Sequence, residues 1–238
     1  MAKAMIVSVG TGTRPDVNIV KPLVKTVQNS DPKLTLFLVS DESQKYAEAV
    51  AQNAQLPETA FQCVRVRDPD NMQQCFCAAL EALHNIRARG YNPENIVADY
   101  TSGTKAMTAG LALAAVSFRC GTLKYISGTR QNGVVVDGTE EFRSITPSAI
   151  LAVSEIELAR RLVLQLRFEA AKEILSRVND ALLTAHDRNL KDNLSLLATA
   201  YSRWDHFDHR TFCGEYSKVK WDNVPELSCF KVKKSIPS

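Results

Sequence analysis

A chain of 238 residues has room for one full domain and a smaller companion, and its 45% hydrophobic and 23% charged content, with ten glycines and nine prolines, excludes a disordered, collagen-like or low-complexity polypeptide. The net charge of +3 is spread evenly, with 15 basic against 14 acidic residues through Ile150 and 14 against 12 beyond it. No basic face for duplex nucleic acid is therefore expected, and any phosphate recognition is local.

The chain opens with a β-rich apolar run, Met5 to Val9, that ends in a Gly/Thr turn. Val20, Leu23, Val24 and Val27 then share one helical face; Pro22 is tolerable only in a first turn, so the helix starts near Val20 with Asn18 as a candidate cap. Leu34 to Val39 reads as the second strand, and Ser40-Asp41-Glu42 opens the next helix. Phe61 to Val66 is a third strand, followed by the turn Asp68-Pro69-Asp70-Asn71 and a helix carrying Met72, Phe76, Leu80 and Leu83 that ends at Gly90. Ile96 to Tyr100 is the fourth strand, Thr101-Ser102-Gly103 its turn, and Met107, Leu111, Ala114 and Phe118 the buried face of the fourth helix. Leu123 to Ile126 and Val134 to Val136 read as strands around the loop Ser127 to Gly133.

Alternating βα units with near-continuous apolar strands predict an α/β fold: a doubly wound, Rossmann-like parallel sheet over residues 1–147. Residues 148–238 read as a small all-helical module, with apolar faces on Ile156 to Leu166, Phe168 to Val178 and Leu190 to Tyr201, and a tail from Cys213 without clear periodicity. Six scattered cysteines, with no CxxC pair and no histidine cluster, are expected to be reduced and mostly buried and to bind no metal; Cys75-x-Cys77 lies within Met72 to Ile86, where apolar residues fall at helical spacing. The longest apolar run, Ala106 to Phe118, is shorter than the roughly 20 residues of a membrane span. The first apolar segment is too short for a signal peptide. The expectation is a cytoplasmic protein with no membrane partner.

In a sheet of order 3-2-1-4, the connections leave strands one and four in opposite directions and open a crevice at their carboxyl ends. The loops there are Gly10-Thr11-Gly12-Thr13-Arg14 and Thr101-Ser102-Gly103-Thr104-Lys105. Each combines glycine, hydroxyls and one cation. Glycines admit an anion to backbone N–H groups, hydroxyls donate to phosphate oxygens, and the helix starting at Thr104 points its positive end the same way. Phosphate or nucleotide binding is the chemistry suggested. The dinucleotide fingerprint fails at Pro15, where its third glycine belongs, although Asp41 can pass for a ribose-binding acid; a nucleotide- or NAD-dependent Rossmann enzyme is thus the alternative. Gly103-Thr104-Lys105 inverts the Walker order, and Ala98 occupies its first glycine position.

Gly10-Thr11-Gly12-Thr13 after strand one, with Asp99-Tyr100-Thr101-Ser102-Gly103-Thr104-Lys105-Ala106-Met107 after strand four, resembles the CRISPR-associated Rossmann-fold (CARF) sensor domains. The resemblance covers roughly residues 1 to 147, and the second motif is the specific one. It implies a homodimer that binds a cyclic oligoadenylate of four or six units across its two-fold axis and switches on an attached effector, a nuclease or an adenosine deaminase. A ring with rotational symmetry matches a dimer presenting both loops twice. By the same resemblance Lys105 neutralises phosphate, Thr11, Thr13, Ser102 and Thr104 donate to phosphate or ribose oxygens, Ser40 or Asp41 approaches adenine or ribose, and Met107 joins through the motif alone. Arg14, Thr129 and Arg130 complete the candidate set, the two arginines being equally readable as solvated. Asp99 is read as a brace for its loop, since like charges repel.

No cofactor and no catalytic residue are expected: neither loop holds His or Glu, so the ring would be bound and left largely intact. In the helical module, Arg203-Trp204-Asp205-His206-Phe207-Asp208-His209 meets the Arg-x(4 to 6)-His spacing of HEPN ribonucleases, but reads more simply as aromatic packing around a helix end. His84 and His186 read as structural.

Overall fold

Strands that are apolar on both faces are stable only between two layers of helices, and the first part of the chain is built on that requirement. A computed structural model describes residues 3–12, 19–131, 134–136, 138–180 and 183–231. The chain divides into two units, Met1–Pro147 and Ser148–Ser238.

In the first unit β1 (Ala4–Val9), β2 (Leu34–Val39), β3 (Phe61–Arg65), β4 (Ile96–Asp99) and β5 (Thr122–Ser127) run parallel in the order β3-β2-β1-β4-β5. Every residue of β1 and β2 is buried. Ile6, Leu36 and Ala98 cluster with α3 (Met72–Ala88) and α4 (Lys105–Ser117), while Met5, Val7 and Phe37 cluster with α1 (Val20–Ser30) and α2 (Gln44–Asn53). The alternation of side chains along each strand thus serves two cores at once.

The helices follow the expected spacing with corrected faces. α1 starts at Val20 with Pro22 in its first turn, but its N-cap position is Ile19; Asn18 lies outside the described residues. α2 starts at Gln44, after a turn in which the Ser40 and Ser43 side chains and N–H groups bond to each other. On α3 the buried face is Cys75, Ala79, Ala82, Leu83 and Ile86, and Met72 is exposed. Small residues win there because α4 comes close: a Cβ added at Gly110 would lie 2.7 Å from Phe76 N and 2.8 Å from Cys75 Cβ. Two residues apart on a helix point about 200° apart, so Cys75 is buried and Cys77 exposed. Cys213 and Cys229 are exposed too, against the expectation of mostly buried thiols, whereas burial pushes the Cys120 thiol up to about 12.

The sheet is not wholly parallel. After the short hairpin of β6 (Arg130–Gln131) and β7 (Val134–Val135), β8 (Glu141–Ile145) returns antiparallel to β5. All five residues of β8 are exposed, so no apolar alternation announces it.

The second unit comprises α5 (Pro147–Leu164), α6 (Phe168–Arg177), α7 (Ala185–Asp205) and α8 (His209–Tyr216), with 3₁₀ turns at Trp221–Asn223 and Pro225–Phe230. Tyr201 is central: its ring stacks on Phe168 at 5.1 Å and meets Phe212 and Phe230, and its hydroxyl and that of Tyr216 both donate to the Phe230 carbonyl. The segment Arg203 to His209 spans the last residues of α7, the turn at 206–208 and the first residue of α8. Trp204 packs edge-on against His209 and Phe212, Phe207 takes φ 58°, and Asp208 caps α8 by accepting from Thr211 N–H. His84 lies edge-on to Phe118 at 5.2 Å. No helix among the described residues is long and apolar enough to cross a membrane.

Candidate functional site

Because β1 and β4 are neighbours whose following helices cover opposite faces, the loops after them meet at the carboxyl end of the sheet. They meet backbone to backbone. A Cβ on Gly10 would stand 2.8 Å from Gly103 Cα and 2.9 Å from Gly103 N, closer than real side chains come. Gly103 itself has φ 120°, a conformation that favours glycine, and a Cβ there would crowd Met107 and Ser8. Polar bonds fix the register: Ser8 Oγ donates to the Ser102 carbonyl, and Gly10 N–H donates to Ser102 Oγ at 3.1 Å.

The second loop launches α4. Thr104 is its N-cap, accepting from Met107 N–H at 3.1 Å while donating its own proton to the Pro69 carbonyl. Its only hydroxyl proton is therefore engaged by the turn before α3 in this structure. Thr101 is likewise engaged: its hydroxyl accepts from Ile126 N–H at 2.9 Å, its N–H donates to Asp99 Oδ1 at 2.8 Å, and its side chain also bonds the Asp99 carboxyl. Met107 is 1% exposed and packs in the core beneath Gly103, so it offers no surface to a base. Lys105 is exposed at the first position of α4, with no hydrogen-bond or salt-bridge partner among the described residues. It and the helix N-terminus are the positive features of this loop.

Asp99 lies beneath, fully buried. Its Oδ2 accepts from Thr26 Oγ1 of α1 at 2.5 Å, and Lys124, its cross-strand neighbour in register, sends Nζ to Ser30 Oγ at 2.6 Å and to the Thr26 carbonyl at 3.4 Å. The carboxylate thus braces Thr101 from below. Burial pushes the Asp99 carboxyl above the ordinary aspartate value, against the pull of its Thr101 and Thr26 bonds and the Lys124 charge. Burial lowers Lys124. A carboxyl with a raised folded-state pKa favours folding at low pH, and that contribution fades as pH rises through the folded value. The stability of Asp99→Asn relative to the parent chain is therefore expected to improve with rising pH, read from thermal melts between about pH 4 and pH 8. A difference independent of pH would mean that Asp99 titrates as it does in the unfolded chain.

The remaining candidates are less drawn in. Thr11 is exposed, with its hydroxyl 3.4 Å from the Gly12 carbonyl, and Gly12 has φ 84°. Thr13 and Arg14 lie outside the described residues. Ser40 is held in its turn by Ser43, and Asp41 is ion-paired with Arg65 on the surface. Thr129 is exposed, its N–H donating to Thr139 Oγ1 at 3.1 Å; Arg130 enters the β6–β7 hairpin through its backbone, and its side chain is outside the description. Sequence reasoning missed Ser8, Thr26 and Lys124. Thr26 carried a faint signal, a polar residue on the apolar face of α1. Among the described residues no group of three or more His, Cys, Asp or Glu is placed to hold a metal.

Fold and crevice together define an α/β protein of Rossmann-like topology with two glycine loops locked at its switch point. No protein-family model matches the chain, and no curated protein matches it. Among solved structures it is similar to Enterococcus italicus Csm6 bound to cyclic hexa-2'-fluoro-hexa-dAMP, at 13% identity and a TM-score of 0.63, over 87% of this chain and 55% of that one. The chain thus spans about half the length of that Csm6, and shares its fold. It is also aligned with Can2 from Sulfobacillus thermosulfidooxidans in complex with cyclic tetra-adenylate (12% identity, TM-score 0.43, 96% of this chain and 68% of that one). A third is protein VC1899 from Vibrio cholerae (10% identity, TM-score 0.41, 93% and 69%). Neither of these reaches a TM-score of 0.5, so the fold likeness rests on Csm6.

Proposed function

We propose that the chain is a CARF-type sensor whose homodimer binds a cyclic oligoadenylate, of four or six units, across the β1–β4 crevice and passes that event to an effector. The observation that carries this reading is the backbone contact of Gly10 with Gly103, which packs two anion-suited loops into one site. The sequence motif after β4 and the fold shared with a Csm6 solved with a cyclic hexanucleotide support it. In this reading Lys105 and the N–H groups of α4 face the ring phosphates, Thr11, Thr13 and Ser102 supply hydroxyls, and Thr104 and Met107 build the loop. Lacking His or Glu, the loops hold the ring without a tuned base, and cleavage is slow or nil.

Calorimetric titration of the chain with cyclic tetra-adenylate, cyclic hexa-adenylate, ATP and NAD tests this. Saturation at one ring per two chains is expected, with a dimer present in sedimentation before ligand is added. One ring per chain would defeat the shared pocket. Tight binding of NAD or ATP with no response to either ring would favour a nucleotide-dependent enzyme.

A further inference from the structure

Helix α1 follows the first crevice loop, and its own side chains reach the other two loops at the carboxyl end of the sheet. Thr26 Oγ1 donates to Asp99 Oδ2 at 2.5 Å, and Asp99 Oδ1 receives the N–H of Thr101 at 2.8 Å, which ties α1 to the second loop. One residue earlier, Lys25 Nζ bonds Glu140 Oε1 at 2.6 Å, while Glu140 Oε2 accepts from Gly138 N–H at 2.7 Å. Those residues return from the β6–β7 hairpin, so α1 is tied to the third loop as well. The Thr26 carbonyl also receives Lys124 Nζ from β5, the strand that leads into that hairpin.

We infer that α1 is a strut coupling the loop after β4 to the segment that returns from the β6–β7 hairpin, with Thr26 and Lys25 as its positioning residues. The inference rests on the crevice being the ring site and deepens that reading. Thr26 is fully buried, so water cannot replace its hydroxyl; without it one Asp99 oxygen loses its donor and the Thr101 peptide loses a fixed acceptor. Lys25 and Glu140 have side chains 35% and 9% exposed, and the bond from Lys25 holds the Glu140 carboxyl below its ordinary range. A helix moves as a rigid body, so a shift at either tie displaces the other loop. Affinity for the ring then depends on bonds that never touch it.

Thr26→Val keeps the side-chain shape and removes the donor, whereas Thr26→Ser keeps the donor. Two readouts are taken on the full chain: titration with cyclic tetra- and hexa-adenylate, and amide hydrogen exchange without ligand. Thr26→Val is expected to weaken ring binding about tenfold and to speed exchange both at Thr101 and at residues 138–140, with Thr26→Ser close to the parent. Lys25→Met is expected to speed exchange at residues 138–140 and at Thr101 in the same way. Faster exchange confined to the loop nearest each substitution would overturn the strut, as would equal defects in Thr26→Val and Thr26→Ser, which would point to packing. If the parent chain takes neither ring, the ligand reading fails, and the exchange experiment alone decides the coupling.

Discussion

Gly10→Ala is expected to abolish ring binding, weakening it by about 100-fold or more, because the new methyl group has nowhere to go. Its nearest neighbours would be Gly103 Cα at 2.8 Å and Gly103 N at 2.9 Å, and backbone cannot swing aside as a flexible side chain can. Relief requires the two loops to separate. Separation breaks the bond from Gly10 N–H to Ser102 Oγ and pulls the second loop off its footing on Ser8. Overpacking of this kind costs about 1 to 3 kcal/mol, a fall of several degrees in the melting temperature of a domain this size. Melting and ring titration of the same sample check both effects; ring affinity within threefold of the parent would show that the loop contact is incidental to binding.

Lys105→Ala comes next. A hydrogen bond to a charged group contributes roughly 1.5 to 3 kcal/mol, so ring affinity is expected to fall about 10- to 150-fold. The side chain is exposed at the first position of α4, and no other Lys or Arg occurs between Asp99 and Arg119 to replace it. Stability is expected to change little, because Lys105 has no partner among the described residues to lose. Melting of the variant therefore separates the two roles. Unchanged affinity in 0.15 M salt would remove Lys105 from the site, and a fall in melting temperature without a fall in affinity would make it structural.

The strand order and the meeting of the two loops were legible because they follow from local chemistry. Apolar runs without alternation require cover on both faces, and Pro22 leaves α1 one place to begin. What was hidden depends on partners distant in sequence. Thr104 reads from its loop alone as a phosphate donor, and its bond to the Pro69 carbonyl, 35 residues away in sequence, has no local sign. Thr26 and Lys124 look unremarkable until β4 and β5 bring Asp99 between them. β8 was missed because an edge strand exposed at every residue has no face to betray it, and α8 because its burial rests on Phe212 alone. Met107 was read from a motif, which names a residue without saying whether it faces the ligand or the core beneath it.

The central strand has a history built into its pairing. Ala4 lies between Leu34 on one side and Ile96 on the other, so as the chain is made β1 gains its first neighbour early and waits for its second. At about 5 to 20 residues per second, the ribosome needs roughly 3 to 12 seconds to pass from one to the other. Throughout that interval a strand destined for complete burial, and apolar at every residue but Ser8, presents an open edge, the kind of surface that recruits strands from other chains. Gly10 cannot meet Gly103 until the interval closes. A nascent or truncated chain ending before β4 is therefore expected not to bind the ring and to be prone to association, and the crevice comes into being only when that exposed edge is covered.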